Sequence, residues 1–118
     1  MTLSAKKSLE ILRCFLDKIW REQPDQYPDD LPVLLGSMTG FRDIVPPDPA
    51  ILEDWKEVIE ATTITSEQAY EKVKVLLGQH HLYLYTTPET QQIVEQMEVN
   101  HDKMWSLWEE CVRDNETD

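Results

Sequence analysis

Apolar residues recur three and four positions apart along most of this chain, and prolines punctuate the repeats. That spacing lines side chains along one stripe of an α-helix, so each segment must bury its stripe against a neighbour. Ser4 caps a first helix running to about Glu22, with Leu9, Leu12, Leu16 and Ile19 on the stripe, flanked by Ile11, Phe15 and Trp20. Pro24 and Pro28 end it within residues 23–29. Asp29 or Asp30 caps a short second helix, Leu31 to Met38, with Pro32 in its first turn. Residues 39–47 form a connection, where Gly40 is permissive and Pro46-Pro47 cannot continue a helix. Asp48 before Pro49 starts a third helix to about Ala61. Ile51, Leu52, Trp55, Val58 and Ile59 share one of its faces, and Glu53, Asp54, Glu57 and Glu60 the other.

The run Thr62 to Thr65 is poor in helix propensity and calls for a break. Thr65 or Ser66 caps a fourth helix to about Gly78, with Ala69, Val73, Leu76 and Leu77 turned inward. With Thr65 as the cap, Gln68 completes a capping box. Residues 81–86 read as a short strand or an extended link. Thr87-Pro88-Glu89 opens a last helix from Pro88 to about Arg113, with Ile93, Met97, Met104, Trp108 and Cys111 on its stripe. Asn100 and His101 interrupt that stripe, which leaves a kink and a partly exposed patch as alternatives. Residues 114–118 read as a frayed acidic tail. The expected fold is all-α, about five helices in one compact domain over residues 1–113.

Two segments run in parallel. Thr2 to Leu16 and Thr63 to Leu77 agree in polar and apolar class at most positions, and Glu53-Asp54-Trp55-Lys56-Glu57-Val58 resembles Ser106-Leu107-Trp108-Glu109-Glu110-Cys111. One reading is a pair of pseudo-repeated halves, residues 2–61 and 63–113. The other is that amphipathic helices resemble one another.

Charge narrows the function. Among 118 residues, 23 acids face 11 Lys+Arg, for a net charge of −12. With a pI near 4.5, the chain is a poor direct ligand for nucleic acid or an anionic membrane, because phosphates need clustered cations. Three glycines are too few for a Gly-rich phosphate loop. Its longest apolar runs fall far short of the roughly 20 residues that cross a bilayer. The start carries no apolar signal region, since Glu10, Arg13 and Asp17 interrupt it. Cys14 and Cys111 are too few for a disulfide scaffold and form no Cys-x-x-Cys pair. Both read as buried thiols of a cytoplasmic protein.

Catalytic patterns are missing. No histidine pair among His80, His81 and His101 has His-x-x-x-His spacing, and adjacent His80 and His81 point apart. The neighbouring acids Asp29-Asp30, Glu53-Asp54 and Glu109-Glu110 do not share a target on a helix. Cys14 lies mid-helix, and there is no Gly-x-Ser-x-Gly. The expectation is no enzyme, no cofactor and no metal.

Acid density is more informative. Residues 22–60 hold ten acids against Arg42 and Lys56, and residues 89–118 hold nine against Lys103 and Arg113. Such a field steers a basic partner, or it merely keeps the protein from aggregating. Tyr27 and Phe41, on expected loops beside this charge, are candidate anchors, whereas Trp55 reads as core. The candidate partner-binding residues are Asp25, Tyr27, Asp29, Asp30, Phe41, Asp43, Glu53, Asp54 and Glu57. Exposed Met104, Trp105 and Trp108 would instead favour a regulatory or adaptor module that binds a helix or a second copy of itself.

The first 60 residues, through Ser4 to Trp20, Leu34-Leu35-Gly36-Ser37-Met38, Asp48-Pro49-Ala50 and Asp54-Trp55, resemble short acidic bacterial proteins of uncharacterised or toxin-immunity type. The stretch Phe41-Arg42-Asp43-Ile44-Val45-Pro46 departs from that pattern, where a glycine-containing turn is expected, and so does everything after residue 61. The resemblance implies a cytoplasmic immunity protein or antitoxin whose partner is the basic cleft of a toxin domain.

Overall fold

The computed structural model describes residues 2–39, 49–79 and 85–115. Among them the order is β1 (Thr2–Ser4), α1 (Ala5–Glu22), α2 (Asp30–Thr39), α3 (Pro49–Ile59), β2 (Thr63–Thr65), α4 (Ser66–Gln79), α5 (Pro88–Val99) and α6 (His101–Asp114). The protein is mostly helical, with six helices among the described residues rather than about five.

Two findings refine the expected helical fold. First, β1 and β2 pair antiparallel, with Thr2 opposite Thr65, Leu3 opposite Ile64 and Ser4 opposite Thr63. The threonines that disfavour a helix at 63–65 suit an extended, half-buried backbone, and Leu3 and Ile64 both turn inward. Second, the last helix is two. Asn100 leaves helical geometry at φ −110°, ψ 47°, while its N–H still donates to the Gln96 carbonyl (2.8 Å) and its own carbonyl accepts from Met104 N–H (3.0 Å). Asn100 and His101 are exposed and interrupt the buried stripe, and the helix bends there.

The helix starts follow the expected chemistry. Lys7 N–H donates to Ser4 Oγ at 3.0 Å. At α4, Gln68 N–H donates to Thr65 Oγ1 (3.2 Å) and Thr65 N–H to Gln68 Oε1 (3.4 Å), a reciprocal box. Helix α3 stops at Ile59, where Glu60 takes a left-handed φ of 55° and donates its N–H to the Lys56 carbonyl (2.9 Å). Asp114 closes α6 and does not belong to a frayed tail; it binds Lys18 at 2.9 Å. The connection at 40–48, residues 80–84 of the uncertain link, and residues 116–118 lie outside the described residues.

Helix α1 is central, touching α2, α3, α4 and α6. Its buried face is Ile11, Leu12, Phe15, Leu16 and Ile19, with Leu9 and Trp20 at the edge. Helix α4 touches α3, α5 and α6, and α2 meets α5. Every stripe residue expected on α4, α5 and α6 is buried, from Ala69 through Cys111. Two tryptophans pin helices together. Trp55 Nε1 on α3 donates to Ser8 Oγ (2.8 Å), and Ser8 in turn donates to the Ala5 carbonyl at 2.9 Å. Trp108 Nε1 on α6 donates to the Ser66 carbonyl at 3.1 Å.

Candidate partner-binding surface

Three acidic stretches meet at the start of α5. Thr87 caps this helix, accepting from Thr90 N–H (3.2 Å) and donating its own N–H to Thr90 Oγ1 (2.8 Å), with Pro88 next. Thr90 is buried, and its hydroxyl proton faces the carbonyls of Tyr85 (2.8 Å) and Leu77 (3.2 Å). These bonds fix the corner at residues 85–90, although its flank at 80–84 is outside the described residues.

The corner carries two outward ties. Glu89 accepts three backbone N–H bonds at the head of α2: Asp29 (3.1 Å) and Asp30 (3.0 Å) on Oε2, and Leu31 (3.2 Å) on Oε1. A carboxylate there meets the positive end of the helix dipole and satisfies donors that would otherwise lack partners. Glu89 therefore takes the capping role expected of Asp29 or Asp30. Asp29 stays exposed and Asp30 half-buried. The second tie is Tyr85, fully buried, whose hydroxyl donates to Asp54 Oδ2 on α3 at 2.7 Å. Asp54 is half-buried and held in one orientation.

The nine expected residues divide accordingly. Asp25 and Asp29 are exposed on the 23–29 loop, Glu53 and Glu57 are exposed on α3, and Asp30 and Asp54 are half-buried beside the corner. Glu53 faces Lys56 at 3.5 Å, an exposed pair of little energetic weight. Phe41 and Asp43 lie outside the described residues. Tyr27 is corrected: it is only 1% exposed, so it is no surface anchor but the residue that packs the 23–29 loop down. Burial, and then the Glu89 carboxylate, hold its phenol above the ordinary range.

The exposed tryptophan stripe is corrected too. Trp108 and Met104 are core, and half-buried Trp105 packs edge-on against Tyr70 (5.0 Å) and stacks with His101 (6.3 Å between ring centres). Sequence reasoning missed Glu89 and Tyr85. The Thr-Pro-Glu start did mark Glu89 as a first-turn acid, but not that it reaches another helix. Among the described residues no three His, Cys, Asp or Glu side chains cluster to hold a metal, and no helix is long and apolar enough to cross a membrane.

Carboxylates are also exposed on α1, α4, α5 and α6, so the anionic field surrounds the molecule. What distinguishes the corner is fixed geometry: the backbone at Asp29-Asp30 and the side chain of Asp54 are bonded to one six-residue segment. This arrangement holds the Asp54 carboxylate in place and anchors the backbone that carries Asp29 and Asp30, where they can meet a cationic surface. The chain matches no family model, no curated protein and no solved structure.

Proposed function

We propose that this chain is a non-catalytic acidic binding protein of toxin-immunity type, acting in the cytoplasm. It blocks the basic cleft of a toxin domain with the carboxylates around the 85–90 corner. The observation that carries this reading is the pair of ties from Glu89 and Tyr85, which hold Asp29-Asp30 and Asp54 to one rigid segment. Preorganised anions lose little freedom on binding and so favour affinity as well as steering. The excess of twelve carboxylates over cations supplies the field. The adaptor reading lacks support once Trp108 and Met104 are core.

The test is capture of a partner from the source cell by the tagged protein. Wild type is expected to retain one basic protein, and so is a control carrying Glu98→Lys and Glu109→Lys. A variant carrying Asp29→Lys and Glu53→Lys, equal in thermal stability, is expected to lose it. Equal capture by all three overturns the reading.

We further infer that residues 2–61 and 63–113 descend from a duplicated unit. Among the described residues each half runs strand–helix–helix–helix. Exchanging the halves maps α1 against α2, α3 and α6 onto α4 against α5, α6 and α3, and maps the β1–β2 pair onto itself. The tryptophans agree as well. Trp55 reaches the Ala5 carbonyl through Ser8, and Trp108 reaches the carbonyl of Ser66, the residue aligned with Ala5. Residues 2–61 and 63–113 are expected to superpose by a rotation near a half turn. A rotation far from that removes the duplication and leaves the binding reading intact.

A further inference from the structure

Helices α1 and α6 run antiparallel, and polar ties fix their register. Lys7 Nζ donates to the Asn115 carbonyl at 3.0 Å. Lys18 Nζ binds Glu110 Oε1 (2.7 Å) and Asp114 Oδ2 (2.9 Å), and Lys103 meets Glu22 at 3.9 Å. Between these ties, Phe15 stands edge-on to Trp108 at 5.3 Å. This register sets Cys14, one turn before Lys18 on α1, opposite Cys111, which lies between Glu110 and Asp114 on α6. Cys111 is fully buried, and Cys14 is half-buried and open to a small reagent.

We propose that Cys14 and Cys111 form a redox pair, which hydrogen peroxide converts into an intrachain disulfide joining α1 to α6. The geometry assigns the roles. The exposed flank belongs to Cys14, so its thiolate attacks the peroxide oxygen. The O–O bond breaks, hydroxide leaves, and Cys14 becomes a sulfenic acid. Cys111, on the facing side of α6, attacks that sulfur. The S–S bond forms, the S–O bond breaks, and the Cys111 proton leaves with the departing hydroxyl as water. Two thiols are oxidised by two electrons, and one peroxide is reduced to two waters.

The surroundings favour this order. The neighbouring Cys111 thiol, and then the Lys18 and Arg13 cations, bring the Cys14 thiol down to about 7, against burial and the Asp114 carboxylate. The neighbouring Cys14 sulfur, together with burial, pushes Cys111 up, so it keeps its proton. Lys18 is itself anchored by Glu110 and Asp114, which hold its ammonium charge well above lysine's usual range. A half-buried thiol beside cations, facing a fully buried one on the next helix, marks a low-threshold thiol with a resolving partner.

The experiment exposes the reduced full chain to a modest excess of hydrogen peroxide at neutral pH, without denaturant. Intact mass is expected to fall by two hydrogens, with one peptide linking Cys14 to Cys111 and the chain still monomeric. Closing so long a loop should raise Tm by roughly 5 °C or more. Cys111→Ser is expected to stop at a Cys14 sulfenic acid that dimedone traps. Lys18→Met should raise the pH midpoint of Cys14 alkylation and slow the oxidation several-fold. The proposal is overturned if both thiols of the wild type stay titratable, if oxidation stops on Cys14 alone, or if the disulfide links two chains. The wild-type peptide map decides even if Cys111→Ser fails to fold.

Discussion

Tyr70 illustrates how one buried polar group sets a stability limit. Its ring fits edge-on between Phe15 (6.2 Å), Trp105 (5.0 Å) and Trp108 (5.8 Å), and its hydroxyl donates to the Met97 carbonyl at 3.3 Å. Burial, with Glu71 adding to it, pushes the phenol up to about 12 from 10.0. In the unfolded chain the phenol ionises near its ordinary value. The stabilising contribution is therefore complete below pH 10 and is lost as pH rises through 12. Urea midpoints are expected to fall more steeply over this window for wild type than for Tyr70→Phe. Equal slopes would mean that the phenol ionises in place without cost. Glu60 is a second residue held by its surroundings, since a left-handed φ is disfavoured for a side chain and persists here to close α3.

Among the elements, α2 depends on a side chain from elsewhere. Its own first acid, Asp30, does not cap it; Glu89 of α5 does. Glu89→Ala leaves three backbone donors without that acceptor, and should cost about 2–3 kcal/mol in denaturant unfolding. It should also speed hydrogen exchange at Asp29, Asp30 and Leu31. Glu89→Gln, which keeps one acceptor oxygen, should fall between. Unchanged exchange at these amides in Glu89→Ala would show that the loop holds α2 without Glu89. This tie was illegible in the sequence for a physical reason: periodicity and cap residues report contacts within a few positions, and Glu89 acts some sixty residues away. The same limit explains the strands, which are three residues each and pair only across the chain. The stripes of α4, α5 and α6, the Ser4 cap and the Thr65–Gln68 box were legible because spacing of three and four contains them entirely. Tyr27 was misplaced because a loop aromatic has no period to reveal which way it turns.

In the whole molecule, charge and architecture work against each other. A net −12 repels itself, and the fold answers with a core drawn from every helix and with cations spent on internal ties, Lys18 and Lys103 between α1 and α6. Of the candidate surface, the sequence located the acids of the loop and of α3, but not the 85–90 corner that holds Asp54 and the backbone of Asp29-Asp30. That corner exists only once α2, α3 and α5 meet. In the proposed function the acids around this corner steer a basic partner, and the association rate at varied ionic strength tests that steering. With the captured basic protein, the wild-type on-rate should fall roughly tenfold or more between about 10 mM and 150 mM salt, and Asp29→Lys with Glu53→Lys should flatten that dependence. A wild-type on-rate indifferent to salt, or an unchanged slope in the variant, would contradict it.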